Sequence, residues 1–274
     1  MTPAASSRSA GGLSALIKSL DVQRHVIGAL VMRELHTRYG RENIGYLWMI
    51  VEPLLLAAAV GALHAKTSGG SGHVGDFHPV PFALGGYCVF MVFRSVIGRA
   101  ETTIEANKPL LHHRMVTIFD MLLARALLEG ASTLAALMIL LTGSWALGLG
   151  EPVARPLTFI GAYLLMLWLS FALSMPVCAG AYLSKAVGKF VHPLVYIAMP
   201  LSGAFFSLSW IPEPFRGWLA LSPLNQIFEM LHTGQFQSID SLYFDPLYII
   251  EWCLGLTLAG LLSLRAVRPH VHLS

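Results

Sequence analysis

Long apolar runs separated by short polar connections dominate the chain from Ile44 onward. Ile44 to Ala65 is interrupted only by Glu52, Val80 to Gly98 only by Arg94, and Pro246 to Leu264 only by Glu251. Gly130 to Gly150, Leu157 to Ser184 and Phe190 to Pro212 carry no Asp, Glu, Lys or Arg. Each run has roughly the 17–25 residues that a helix needs to cross the hydrocarbon, or slightly more. The pattern predicts transmembrane helices over about 44–65, 80–103, 118–150, 157–184, 190–212 and 246–266. The third begins well before its uncharged stretch, because Asp120, Arg125 and Glu129 precede Gly130 with no Gly or Pro between them. Arg125 and Glu129 are four apart and can pair along one face, although the cation-first order is the weaker one.

Two further segments have a different pattern. In the first, Leu13, Leu16, Ile17 and Leu20, then Val26, Ile27, Leu30, Val31 and Leu35, recur at mostly helical spacing, with Lys18, Asp21, Arg24 and Arg33 between them. That is an amphipathic helix with a basic face, suited to the anionic inner leaflet or to a partner's surface; packing on other loops is the alternative. Residues 1–12, rich in Ala, Ser and Gly, are expected to fray. The second is "WIPEPFRGWLALSPLNQIFEMLHTGQF", whose apolar core from Gly217 to Phe228 is too short to cross. Pro223 should break it into two short helices, with Ser222 available to cap the second, and Trp210 and Trp218 suit the outer headgroups. Asp245, just before Pro246, reads as a helix N-cap.

Composition settles the environment. Hydrophobic residues make up 55% of the 274 and charged residues only 12%, against about 25% charged in soluble domains. The mean hydropathy is +0.64. Too few polar groups exist to cover the surface, so most of the exterior must face lipid. The fold class is therefore an all-α integral membrane protein of six spans, preceded by an amphipathic cytoplasmic interface helix. The net charge of +3 is too small and scattered for a nucleic-acid surface. Cys88, Cys178 and Cys253 stand in separate apolar tracts with no motif spacing and read as small buried hydrophobes. No continuous apolar h-region precedes a cleavage site, so no cleavable signal is expected.

Fifteen of the eighteen Lys and Arg fall in the N-terminal segment, the second-to-third and fourth-to-fifth connections, and the tail. The positive-inside rule then puts both termini in the cytoplasm. Residues 1–43 form the cytoplasmic segment and 44–274 the six-span domain. Within the latter, 104–117 is expected to be a cytoplasmic loop, and 213–236 to enter the membrane partway from the periplasmic side, as a re-entrant hairpin, or to lie on it.

Several chemistries are missing. No G-x-x-x-x-G-K-[ST] occurs; Gly188-Lys189-Phe190 lacks both the leading glycine spacing and the hydroxyl. Glu52, Arg94, Arg125, Glu129 and Glu251 sit within a few turns of predicted span ends, which weakens an ion-coupled carrier. His112-His113-Arg114 and His270-Val271-His272 have no carboxylate at ligand spacing and read as loop histidines. G-x-S-x-G is absent, so no catalytic or metal-binding constellation stands out.

The stretches "RELHTRYGRENIGYLWMIVEPL", "HRMVTIFDMLLARALLE", "PLSGAFFSLSWIP" and "LSPLNQIFEMLHTGQF" resemble the membrane subunits of ABC-type polysaccharide exporters. The resemblance is closest to the capsular polysaccharide export permeases (KpsM type) and runs from about Leu16 to Arg268. It implies a homodimer in the bacterial inner membrane working with two copies of a nucleotide-binding ATPase subunit. Lipid-linked capsular polysaccharide would be the cargo, and periplasmic and outer-membrane export proteins are further candidate partners. This chain would hold no cofactor, ATP and Mg belonging to the ATPase. In that family the N-terminal amphipathic helix lies at the cytoplasmic interface, and a short helix between the second and third spans fits a groove on the ATPase. Two short half-membrane helices precede the last span. One departure is the first periplasmic connection, "KTSGGSGHVGDFHPVP", which is glycine-rich and suggests no folded element for periplasmic partners to meet. An O-antigen or teichoic acid exporter permease would share the fold, and a membrane-embedded transferase acting on lipid-linked sugars is the alternative from another class.

Two sets of candidate site residues follow. Arg38 and Arg41 mark the boundary where the amphipathic helix ends, with Tyr46, Trp48 and Glu52 just beyond. An arginine fork can hold phosphate oxygens in a bidentate way, as an arriving lipid headgroup requires. Glu52 lies about 12 Å along the axis from Ile44. Facing lipid it would cost about 2.5–3.5 kcal/mol, so it should face protein or a wet cavity, and Pro53 would kink the helix there. The bland reading has the arginines anchoring the helix to anionic lipid and Glu52 capping a neighbouring helix. In "ETTIEANKPLLHHRMV", Glu105, Lys108, Leu110, Leu111, His113 and Arg114 are the candidates for ATPase coupling, the leucine pair entering the groove. A solvated loop is the alternative. The charge asymmetry makes one direct prediction: in whole cells an impermeant thiol reagent should label a cysteine at Ser71 and not one at His112. The reverse pattern would invert the topology.

Overall fold

The computed structural model describes residues 7–39, 78–111, 116–239 and 243–270, together with positions 51, 52, 54, 55 and 59. Among these residues the chain is helical, with no strand. α1 runs Ser7–Tyr39, so the helix already includes much of the stretch expected to fray. Then come α2 (Pro79–Ala100), the short α3 (Thr103–Ala106) and α4 (Lys108–Leu111), α5 (Ile118–Ala146) and α6 (Pro156–Leu183). α7 (Lys185–Leu201), α8 (Glu213–Ala220), α9 (Pro223–Gln235) and α10 (Pro246–Val267) complete the order.

Among the described residues four helices are long and apolar enough to cross a membrane: α2, α5, α6, and α10 with its short 3-10 continuation to His270. The first expected span, 44–65, lies outside the described residues apart from five positions. The fifth, expected over 190–212, differs. Extended backbone at Ser184 ends α6, and a new helix starts at once on Lys185 and stops at Leu201. Gly203 then takes φ +85°, a left-handed turn that favours glycine, and a 3-10 turn follows at Leu208–Trp210. An uncharged run marks what can leave water, not what must be helix.

Local chemistry sets the remaining boundaries. Thr117 and Asp120 form a reciprocal capping box at the start of α5: the Thr117 hydroxyl accepts from Asp120 N at 3.2 Å, and the Asp120 carboxylate accepts from Thr117 N at 3.1 Å. Asp245 caps α10 as expected, accepting from Leu247 N at 2.9 Å. The segment 213–236 is two short helices, broken at Leu221 and Ser222. Ser222 occupies the N-cap position without making the side-chain bond. Instead Asn225 Nδ2 donates to Leu219 O at 3.1 Å and Gln226 Nε2 to Ala220 O at 2.8 Å, so two amide side chains satisfy carbonyls at the end of α8.

α6 is the hub, packed against α2, α5, α7, α9 and α10. Phe159, Tyr163, Met166, Met175 and Cys178 face this core from α6, with Val89, Phe90 and Val92 from α2. Tyr163 donates its hydroxyl to the Gly130 carbonyl at 2.6 Å, and Trp168 Nε1 donates to Thr257 Oγ1 at 3.1 Å. The opposite face of α10 exposes Leu247, Leu254, Leu258, Leu261 and Leu262, as a lipid-facing helix should. α9 is buried almost throughout. Its Glu229 accepts from Leu208 N and from Ser207 Oγ, while Gln235 Nε2 donates to Pro81 O at 2.6 Å. His232 stacks on Phe82 of α2 with ring centroids 4.0 Å apart. The turn carrying Gly203 is pressed against α2 so closely that a Cβ on Gly86 would lie 1.8 Å from the Ala204 carbonyl oxygen. Gly86→Ala should therefore lower the thermal unfolding midpoint in detergent, at a cost of about 1–3 kcal/mol typical of overpacking. A midpoint equal to that of the unsubstituted protein would mean that this contact yields.

Candidate functional site

The clearest polar construction joins α1 to the α2–α5 turn. α3 and α4 share Asn107 as their hinge: its Nδ2 donates to Thr103 O at 2.9 Å, and its carbonyl accepts from Leu110 N at 3.0 Å and Leu111 N at 3.3 Å. Its Oδ1 accepts from Arg33 of α1 at 2.6 Å. Arg125 of α5 reaches three elements at once. Its Nε and Nη2 meet Glu34 of α1, both at 3.2 Å, and its Nη1 donates to Arg99 O at 3.0 Å and Thr103 Oγ1 at 3.1 Å. Gln23 donates to Asp120 at 2.9 Å, and Leu30, Arg33, Glu34, Asn107, Met121, Ala124 and Arg125 line a small cavity between these helices.

This arrangement corrects the pairing expected within α5. Glu129, only 3% exposed, lies 3.5 Å from the Arg99 guanidinium of α2, while Arg125 takes Glu34 of α1 as its carboxylate partner. Helical spacing allowed the Arg125–Glu129 pair, but each side chain has a better partner on another helix. Glu34, Arg33 and Asn107 were not anticipated as site residues. A polar residue beside the apolar positions of α1 is the sequence signal that could have marked Glu34 and Arg33.

The residues expected to act in coupling are partly accounted for. Glu105 and Lys108 are exposed, while Leu110 and Leu111 are half-buried and pack against the chain's own core. His113 and Arg114 lie outside the described residues, as do Arg41, Tyr46 and Trp48. Arg38 belongs to the last turn of α1. Glu52 is half-buried and accepts a hydrogen bond from Tyr87 of α2 at 2.5 Å, so it faces protein rather than standing alone in lipid. Among the described residues no His, Cys, Asp and Glu side chains gather as a metal site would need.

Residues 25–236 match the ABC-2 type transporter family, a span that begins within α1 and ends just beyond α9, and the chain belongs to that family. It is thus the membrane permease of a transporter. Its relatives narrow the comparison. The chain is 36% identical over 244 residues to the capsule polysaccharide export inner-membrane protein CtrC of Neisseria meningitidis serogroup B, covering 89% of this chain and 91% of that protein. It is 32% identical over 248 residues to the capsule polysaccharide export inner-membrane protein BexB of Haemophilus influenzae, covering 90% and 93%. Over 218 residues it is 29% identical to the polysialic acid transport protein KpsM of Escherichia coli, covering 77% and 81%.

The geometry around Arg125 makes a prediction. Arg125→Met leaves the Glu34 carboxylate, 17% exposed, without its cation. Breaking a buried pair this way costs up to about 3–5 kcal/mol. Amide hydrogen exchange over residues 21–37 should therefore speed up as α1 loosens from α5, while exchange in α6 stays slow. Unaltered exchange in α1 would show that the pair does not hold it.

Proposed function

We propose that the chain is the permease of an ATP-driven exporter that moves lipid-linked capsular polysaccharide across the bacterial inner membrane. It works as a homodimer of six-span subunits with both termini cytoplasmic, alongside two copies of a separate nucleotide-binding ATPase that holds ATP and Mg. The observation that carries this reading is similarity over about nine-tenths of the chain to proteins named for capsule polysaccharide export, in a chain of the ABC-2 family.

In this reading α3 and α4 receive the ATPase stroke, with Glu105, Lys108, Leu110, Leu111, His113 and Arg114 as the coupling surface. Asn107 and Arg125, hydrogen-bonded to α1 as well, pass the displacement to the interface helix. α8 and α9 form the re-entrant hairpin on the outer side. Arg38 and Arg41, with Tyr46 and Trp48, receive the anionic lipid headgroup, and Glu52 lines the path beyond.

The test is complementation. In an encapsulated host lacking its own permease, the chain expressed with its neighbouring ATPase should restore surface polysaccharide. Leu111→Asp should abolish that restoration while the protein still inserts and dimerises, and Arg38→Ala with Arg41→Ala should cut it sharply. Polymer retained inside the cell by the unsubstituted chain would refute the function. Normal export by Leu111→Asp would refute only the coupling surface.

A further inference from the structure

Arg94 stands six residues before the end of α2, about 9 Å along the axis. Its guanidinium lies 4.5 Å from the centre of the Tyr196 ring on α7 and donates to the Tyr196 hydroxyl. Its other contact is the Met91 sulfur at 3.9 Å. Among the described residues no carboxylate lies within ion-pair distance of it. Tyr196 itself is 55% exposed.

Arg94 is the middle of a series. Tyr87 and Arg94 of α2 and Glu101, which follows its last residue with helical backbone, are spaced seven apart, two helical turns each, and so share one face. Tyr87 holds Glu52, and Glu101 meets His192 of α7 at 3.3 Å. His192 and Tyr196 are four apart on α7, and the His192 side chain is 61% exposed. The series covers about 21 Å of helix. It contrasts with the exposed face of α10, which is leucine-rich. Charged groups at this depth face protein or water-filled cavities, because lipid contact is costly for them. Along this series Tyr87 is buried and Arg94 half-buried, while His192 and Tyr196 on α7 are exposed among the described residues, so the α7 side of the face is suited to line a wet path and not to meet lipid.

We propose that Arg94, backed by the Tyr196 ring, is an anion-binding station on the translocation path, holding a carboxylate or phosphate oxygen of the passing polysaccharide; this rests on the export function proposed above. Among the described residues this guanidinium meets only the Tyr196 ring and hydroxyl and the Met91 thioether, so it has donors to spare, whereas one locked in an ion pair does not. The Tyr196 ring offers an apolar face against which a sugar ring can lie. The carboxylates of Glu52 and Glu101, two turns to either side, repel the same anion. The station therefore binds locally and releases onward, as conduction requires.

The test places a thiol beside the guanidinium. Met91→Cys, in the complex with its ATPase in membrane vesicles, is treated with an anionic and with a cationic thiosulfonate. The unsubstituted chain, whose three cysteines are buried, supplies the background rate. Met91→Cys should react, and Leu258→Cys on the lipid face of α10 should not. The anionic reagent should lose its advantage by about tenfold when Arg94→Gln is added and keep it with Arg94→Lys, as expected for one lost charge-assisted contact. Oligosaccharide released from the host's acidic capsule should slow the anionic reagent if the glycan supplies the anion. Phosphatidic acid alone should do so if the lipid phosphate does. Either protection supports the station. A Met91 thiol as inert as that at Leu258, a rate ratio indifferent to Arg94→Gln, or protection by neither ligand overturns it. These rates need no export, so they judge the station even if complementation fails.

Discussion

Arg125 carries five N–H donors and no acceptor, and a guanidinium near the membrane must have those donors answered. Three of its nitrogens do so through Glu34 on α1, the carbonyl ending α2, and Thr103 in α3. One side chain thus sets the distance between the N-terminal helix, the α2–α5 turn and the body of α5. The other polar contacts in this region follow from that spacing. Arg33 can reach Asn107, and Gln23 can reach Asp120, because α1 is held in register along α5. Asp120 in turn completes the cap of α5.

The same rule governs the far end of the molecule with different chemistry. α9 is short and buried, so its carboxylate, imidazole and amides must find partners on neighbouring elements. Glu229 accepts from the 3-10 turn, His232 faces the Gly203 carbonyl at 3.1 Å and stacks on Phe82, and Gln235 reaches the first turn of α2. The apolar spans between the two ends are interchangeable in kind, but these polar fixings are specific. The family match covers both, from α1 to the end of α9.

How far this was legible depends on the range of the interaction. α2, α5, α6 and α10 were readable because the length of an apolar run is a local property, and the break before Pro223 and the Asp245 cap are local as well. The limits of α7 were not, since they depend on Ser184, on the left-handed Gly203 and on a turn pressed against Gly86. The pairing of Arg125 could not be read from helical spacing, which offers Glu129 four residues on, when the true partner is 91 positions away. Of the candidate site, Glu52 facing protein was expected from the cost of a lipid-facing carboxylate, but its partner Tyr87 carries no sequence signal.

The hydrogen bonds around α3 have a mechanical consequence. Its first residue is tied to α2 through the Thr103–Arg99 bond and to α5 through Arg125, and the Asn107 hinge at its far end is held by Arg33 of α1. A segment fixed at both supports behaves as a clamped beam and not as a hanging lever. Load applied between the supports is shared by them and produces little local bending. A displacement of α3 therefore loads α1, α2 and α5 together, and the stiffness of the response resides in those supports.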